Sequence, residues 1–264
     1  MKNLIESGRY LFALAIIGIG VVHIVTGNFP VSLLPVPAFA GKILLVYVVG
    51  LILIAGGISL LIDRVALQGS IVIGILFLLL FIFPHLPKLF SDFSNPGEWT
   101  VAAETLALCS GAFIMIPLLI EKSNSIVKSN PILKGIVKLA PYVFALTLIV
   151  FAVQHYLYAD FISKIVPSWI PAPLFITYLV MFVFILTSFN IFLNRRKRES
   201  AIVFGTMFLI MFALLHVPRV LNNLYTETEW TSMFIALAMS GIGFMLAHIS
   251  VNVITVSRPN QSFG

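Results

Sequence analysis

Apolar runs occupy about 9–27, 41–62, 67–86, 99–120, 139–158, 172–193, 201–217 and 231–256, and this near-continuous series is what most limits how the chain can fold. A helix needs about 20 apolar residues to cross a bilayer, and each run is close to that length. Inside a membrane the backbone must satisfy its own polar groups, which leaves helices and closed barrels. Barrel strands would alternate in polarity over about ten residues, and no such alternation is present. The expected fold is therefore all-α: a polytopic membrane protein with eight transmembrane helices. Only 10% of the 264 residues are charged, against roughly 25% in an average soluble chain. Eight spans and their connections nearly use up the length, so no separate soluble domain is expected. The first run lacks a small-residue cleavage site and is followed by further spans, so it reads as helix one and not as a signal peptide.

The basic residues fall unequally between the two sides. With the N-terminus inside, the inner segments hold Lys2, Arg9, Arg64, Lys122, Lys128, Lys134, Lys138, Arg195, Arg196, Lys197, Arg198 and Arg258; the outer ones hold Lys42, Lys88, Lys164 and Arg219. Twelve against four predicts both termini in the cytoplasm, in the inner (cytoplasmic) membrane. The net charge of +6 thus reflects topology, with the lipid bilayer as partner and no nucleic acid. The Arg195-Arg196-Lys197-Arg198 run reads as a topology anchor, with an anionic-lipid site as the alternative.

The halves of the chain repeat each other. At a spacing of 132, Tyr10, Phe12, His23 and Pro35 match Tyr142, Phe144, His155 and Pro167. At 131, Arg64, Gly74, His85, Pro87, Glu98, Trp99 and Thr100 match Arg195, Gly205, His216, Pro218, Glu229, Trp230 and Thr231. Rare residue types recurring in order indicate a duplication, where apolar matches alone would not. Four spans per copy give both copies one orientation, so the expected arrangement is two parallel-repeat four-helix bundles. The first repeat covers 1–120, a cytoplasmic linker 121–138, the second repeat 139–256 and a cytoplasmic tail 257–264.

Most shared rare residues gather at the outer side. Glu98 with Trp99, and Glu229 with Trp230, open helices four and eight. There a carboxylate suits the helix dipole and Trp is an ordinary interfacial anchor, so their expected role is interfacial and structural. His23, His85, His155 and His216 are candidates for ligand binding, since ionisable groups within spans are expensive and often functional. A neutral imidazole can donate to a quinone carbonyl, while burial near the interface offers an equally plain packing role. Glu104, six residues beyond Glu98 inside an apolar run, joins His23 and His85 as a third ligand-binding candidate; its counterpart is Ile235. His248 has no counterpart and reads as structural.

Several chemistries have no motif. One cysteine, Cys109, excludes intramolecular dithiol chemistry. There is no phosphate-cradling glycine loop and no zinc-binding His-Glu-x-x-His helix, so no metal site is expected. Ser110-Gly111 and Ser240-Gly241 are small pairs suited to close helix packing.

A histidine near the end of helix one, a proline-rich outer loop, a third helix closing in His-x-Pro and a Ser-Gly pair in helix four together resemble the DoxX-like membrane family. Both halves carry the pattern, as a fused tandem pair. The family is similar to the membrane subunit of thiosulfate:quinone oxidoreductase, and the resemblance implies a quinone as cofactor and a redox or exported protein as partner. Two other functions stand beside that one. The chain can instead hold an apolar or amphipathic small molecule between its bundles without catalysis, or act as a structural partner of another membrane protein.

Overall fold

The computed structural model describes residues 3, 7–120 and 130–256, with side chains through 119 and from 130 to 249. Eight helices in it are long and apolar enough to cross a membrane. They are α1 (Gly8–Thr26), α2 (Lys42–Leu61), α3 (Ala66–Ser91), α4 (Pro96–Ile120), α5 (Pro131–Leu157), α6 (Pro173–Phe192), α7 (Lys197–Asn222) and α8 (Glu227–Val256). A short helix, Ala159–Ser163, follows α5. The protein is thus a polytopic all-α membrane protein, as expected from the apolar runs.

Three helices outrun their apolar segments. α5 begins at Pro131, inside the stretch expected to be linker. Asn130 caps it, its Oδ1 accepting from the backbone N–H of Ile132 and Leu133 at 3.0 and 3.1 Å, and proline suits the first helical turn. The stretch 121–129 and the tail from 257 lie outside the described residues. α3 and α7 continue past their His-x-Pro sequences instead of stopping there. Pro87 and Pro218 cannot donate to the residue four back, and each helix absorbs the lost bond by slipping into one turn of π-helix, Phe81–His85 and Phe212–His216. The N–H of Leu86 bonds the carbonyl of Phe81, and that of Val217 the carbonyl of Phe212, five residues back in each case. Such π-turns are a recognised way to carry a helix past an irregularity, often beside a functional site.

The duplication is visible in local contacts at the sequence spacing. Trp99 Nε1 donates to Phe93 O at 2.8 Å and Trp230 Nε1 to Leu224 O at 2.9 Å. Cys109 Sγ lies 3.3 Å from Gly74 O, and Ser240 Oγ donates to Gly205 O at 2.9 Å. Cys109, not Ser110, therefore stands where Ser240 does; Ser110 instead bonds its own Leu106 carbonyl.

The two quartets interlock. α1 packs between α2 and α8, α5 packs between α6 and α4, and α4 and α8 also touch each other. α3 lies on α4 and α7 on α8. Small residues permit these approaches: a Cβ on Gly8 would lie 2.7 Å from Gly241 O, and one on Gly241 would lie 2.7 Å from Gly8 O. That reciprocal contact brings α1 and α8 close enough for backbone to meet backbone, as is common where helices associate in lipid. Arg9, counted among the basic residues of one side, is only 7% exposed; its side chain binds Leu60 O and Asp63, tying α1 to the end of α2.

Candidate functional site

Whereas His248 lies toward the other end of α8, His23, His85, His155, His216, both Glu-Trp-Thr triplets and Glu104 fall in the half of the bundle that contains the starts of α4 and α8. Their surroundings divide them into three groups.

His23 and His155 are built alike. Each Nδ1 lies 2.8 Å from the carbonyl four residues earlier, Ile19 O and Phe151 O. A carbonyl only accepts, so Nδ1 carries the proton and a neutral ring presents Nε2 as a lone-pair acceptor. His23 is 1% exposed, edge-on to Phe29, and its Nε2 has no partner. His155 is half-buried, edge-on to Phe184.

His85 and His216 leave their π-turns in different company. His85 Nε2 is 2.9 Å from Thr105 Oγ1 of α4, and both residues are buried. The residue matching Thr105 is Ala236, and the Nδ1 of His216 is buried without a partner. Beside His216, Arg219 Nη2 pairs with Glu229 Oε1 at 2.8 Å. Lys88 and Glu98 hold the matching positions in the first half, where no such ion pair forms.

Glu104 does not meet His85. Thr105, Cys109 and Ala112 form the face of α4 that bonds α3, through His85, Gly74 and Ser70. Glu104 belongs to the neighbouring face, with Thr100 four residues before and Gly111 seven after. Thr100 reaches Gln154 of α5, and a Cβ on Gly111 would meet Ile242 of α8 and Phe12 of α1. Glu104 therefore looks toward the other half of the chain. It is half-buried and has no hydrogen bond or ion pair among the described residues.

A cleft of about 370 Å3 opens where α4 meets α5. Trp99, Phe93, Val150, Val153, Leu157 and Tyr158 supply most of its wall. Ser94 and Gln154 also line it; Gln154 Nε2 donates to Pro96 O at 2.8 Å while Oε1 lies 3.2 Å from Thr100 Oγ1. These bonds fix the amide and leave one N–H and one lone pair free. The matching junction of α8 and α1 is organised differently. There Glu227 replaces Pro96 and bonds Thr231 Oγ1 at 2.5 Å, Val31 N at 3.1 Å and Ser32 Oγ at 3.3 Å. The loop after α1 is thereby tied across the second junction, and Gln154 has the apolar Val22 as its counterpart.

The sequence pointed to the triplets as structural; in the structure Trp99 and Trp230 each donate an indole N–H to a carbonyl six residues earlier. It missed Gln154 and Glu227. The available signal was an amide directly before His155, within an apolar run and unmatched in the first copy. No group of three or more metal-binding side chains gathers among the described residues.

No protein-family model matches the chain, and neither a curated protein nor a solved structure does so.

Proposed function

We propose that this is a DoxX-like protein of the inner membrane, both termini cytoplasmic, that binds an amphipathic small molecule between its two halves. The cleft at the α4–α5 junction carries this reading. A site of about 370 Å3 with apolar walls and one fixed amide has the size and composition of a small-ligand pocket. Trp99 offers a ring face to an apolar body, and Gln154 offers one donor and one acceptor to a polar head. Because Glu227 ties a loop over the matching junction, the two junctions are not a symmetric pair. Binding without catalysis is sufficient to account for these features.

Photolabelling tests this. An alkylphenol bearing a diazirine, added to protein in lipid nanodiscs, is expected to mark segments 93–99 and 149–158. Val153→Trp, which fills the cleft, should reduce that labelling at least tenfold. Label spread evenly over the lipid-facing surface and unaffected by Val153→Trp would overturn the reading.

His23 supports a second, redox-linked reading. Its buried Nε2 accepts a hydrogen bond and does not donate one while the ring is neutral. It therefore suits the hydroxyl of a reduced quinone better than the carbonyl of an oxidised one. A quinol extracted with the purified protein and lost in His23→Phe would support this; no quinone in the extract of either would reject it. A redox or exported protein partner belongs to this reading.

A further inference from the structure

The second half contains a polar cluster in which two buried atoms lack a partner. His216 Nδ1 and Glu229 Oε2 are both buried without a hydrogen-bond partner. They flank the Arg219–Glu229 ion pair, which uses only the other carboxylate oxygen. Glu229 and Ala236 are seven residues apart on α8 and share one helix face. By the spacing of the repeat, Ala236 stands where Thr105 answers His85 across the equivalent helix pair. His85 takes that hydroxyl on Nε2, whereas the unpartnered atom of His216 is Nδ1, so the two halves leave their histidines in different surroundings.

The charges define what fits. Arg219 and Glu229 cancel, so neither an anion nor a cation is favoured. Oε2 only accepts, and needs a donor. With its proton on Nδ1, His216 needs an acceptor. A hydroxyl suits either atom, donating to Oε2 or accepting from Nδ1. Leaving both atoms unsatisfied away from water is costly, so the site selects for such a group.

We infer that the His216–Arg219–Glu229 cluster is a second binding site, for the hydroxyl of a neutral amphiphile such as an alkylated phenol or alcohol. The site is separate from the α4–α5 cleft and does not rest on it. It lies at the junction of α7 and α8, beside Trp230, which provides a local reporter.

The test uses full-length protein in which Trp230 is the only tryptophan, made by Trp99→Phe and Trp169→Phe. The probe is a decyl-substituted bromophenol, whose bromine quenches nearby indole fluorescence; its methyl ether is the control, with the donor removed. The phenol is expected to quench Trp230 saturably, and the ether to need at least tenfold higher concentration. Glu229→Gln should weaken the phenol about tenfold. His216→Phe keeps a ring and the ion pair but removes Nδ1, and it too should weaken the phenol. Equal quenching by phenol and ether would overturn the inference, since it would show simple partitioning into lipid. Phenol quenching unchanged in both variants would overturn it as well, and would leave only water to bridge the two atoms. Val153→Phe, which narrows the cleft without adding an indole, should leave Trp230 quenching unchanged, so failure here and failure of the cleft are separately visible.

Discussion

His85 Nε2 and Thr105 Oγ1 meet at 2.9 Å across α3 and α4, and both are buried. The bond fixes the imidazole as it leaves the π-turn made necessary by Pro87. It also turns Thr105 toward α3, which leaves Glu104 on the neighbouring face of α4. One hydrogen bond thereby assigns His85 and Glu104 to different surroundings, though they are close in depth.

Removing that hydroxyl should be costly. Thr105→Ala leaves a buried ring nitrogen without a partner, a loss of about 1–3 kcal/mol. Thr105→Ser restores the hydroxyl and should recover most of it. Thermal unfolding in one detergent is the measurement. Equal midpoints for Thr105→Ala and wild type would show that the bond contributes nothing.

The two indole bonds should behave as a matched pair. Trp99→Phe and Trp230→Phe each remove one N–H···O bond while keeping an aromatic ring, for a loss of about 1 kcal/mol each. Phe93 and Leu224, whose carbonyls accept those bonds, lie in the short connections before α4 and α8, so the damage should be local. Faster proteolysis confined to residues near 92–96 in one variant and 223–227 in the other would display it. A much larger effect in one alone would mean that the repeat has assigned the tryptophans different work.

The eight spans were legible because water and lipid sort apolar runs irrespective of tertiary detail. The repeat was legible through rare residues, and Trp99 and Trp230 make the same contact in the structure. Helix ends were less so. A proline is ordinarily a helix stop, but at Pro87 and Pro218 a slip to i→i−5 bonding let α3 and α7 continue. At Pro131 the proline marks a start that hydropathy alone assigned to the linker. The interlocking of α1 with α8 could not be read from composition, because any apolar helix is an acceptable neighbour for another. The Gly8–Gly241 contact decides it, and glycines elsewhere in the chain look the same in sequence. In the candidate site, the histidines were found but their partners were not. Whether His85 meets Glu104 or Thr105 depends on a rotation of about 100° between consecutive residues of α4.

Glycine substitutions should separate helix contact from helix propensity. At Gly241 an added Cβ meets the Gly8 carbonyl at 2.7 Å, backbone against backbone. Gly241→Val should therefore destabilise by about 1–3 kcal/mol, the range for overpacked interiors. Gly135 lies within α5 with nothing within 4 Å of its Cβ direction. Gly135→Ala should be neutral or stabilising by up to about 1 kcal/mol, because alanine is the better helix former. Unfolding midpoints for the pair should move in opposite directions, and a loss of equal size at both positions would argue against the α1–α8 contact.

The proposed orientation rests on charge, and the buried native thiol makes it easy to test. Cys109 is buried and its sulfur lies against the Gly74 carbonyl, so it should be silent toward a bulky maleimide. A cysteine introduced at Tyr225, whose side chain is fully exposed, reports on the end that carries the tryptophans. One introduced at Arg195, also exposed, reports on the opposite end. By the sequence, twelve of the sixteen basic residues fall on the side that includes Arg195, and such an excess of Lys and Arg in short connections is expected on the cytoplasmic side. A membrane-impermeant maleimide on intact cells should therefore label Tyr225→Cys and spare Arg195→Cys. After permeabilisation both should react, which rules out simple inaccessibility at 195. The reverse pattern would put the tryptophan end, and with it the α4–α5 cleft and the His216 site, on the cytoplasmic side. Both sites would then draw their ligands from the inner leaflet, so this single labelling experiment also decides from which leaflet an amphiphile enters.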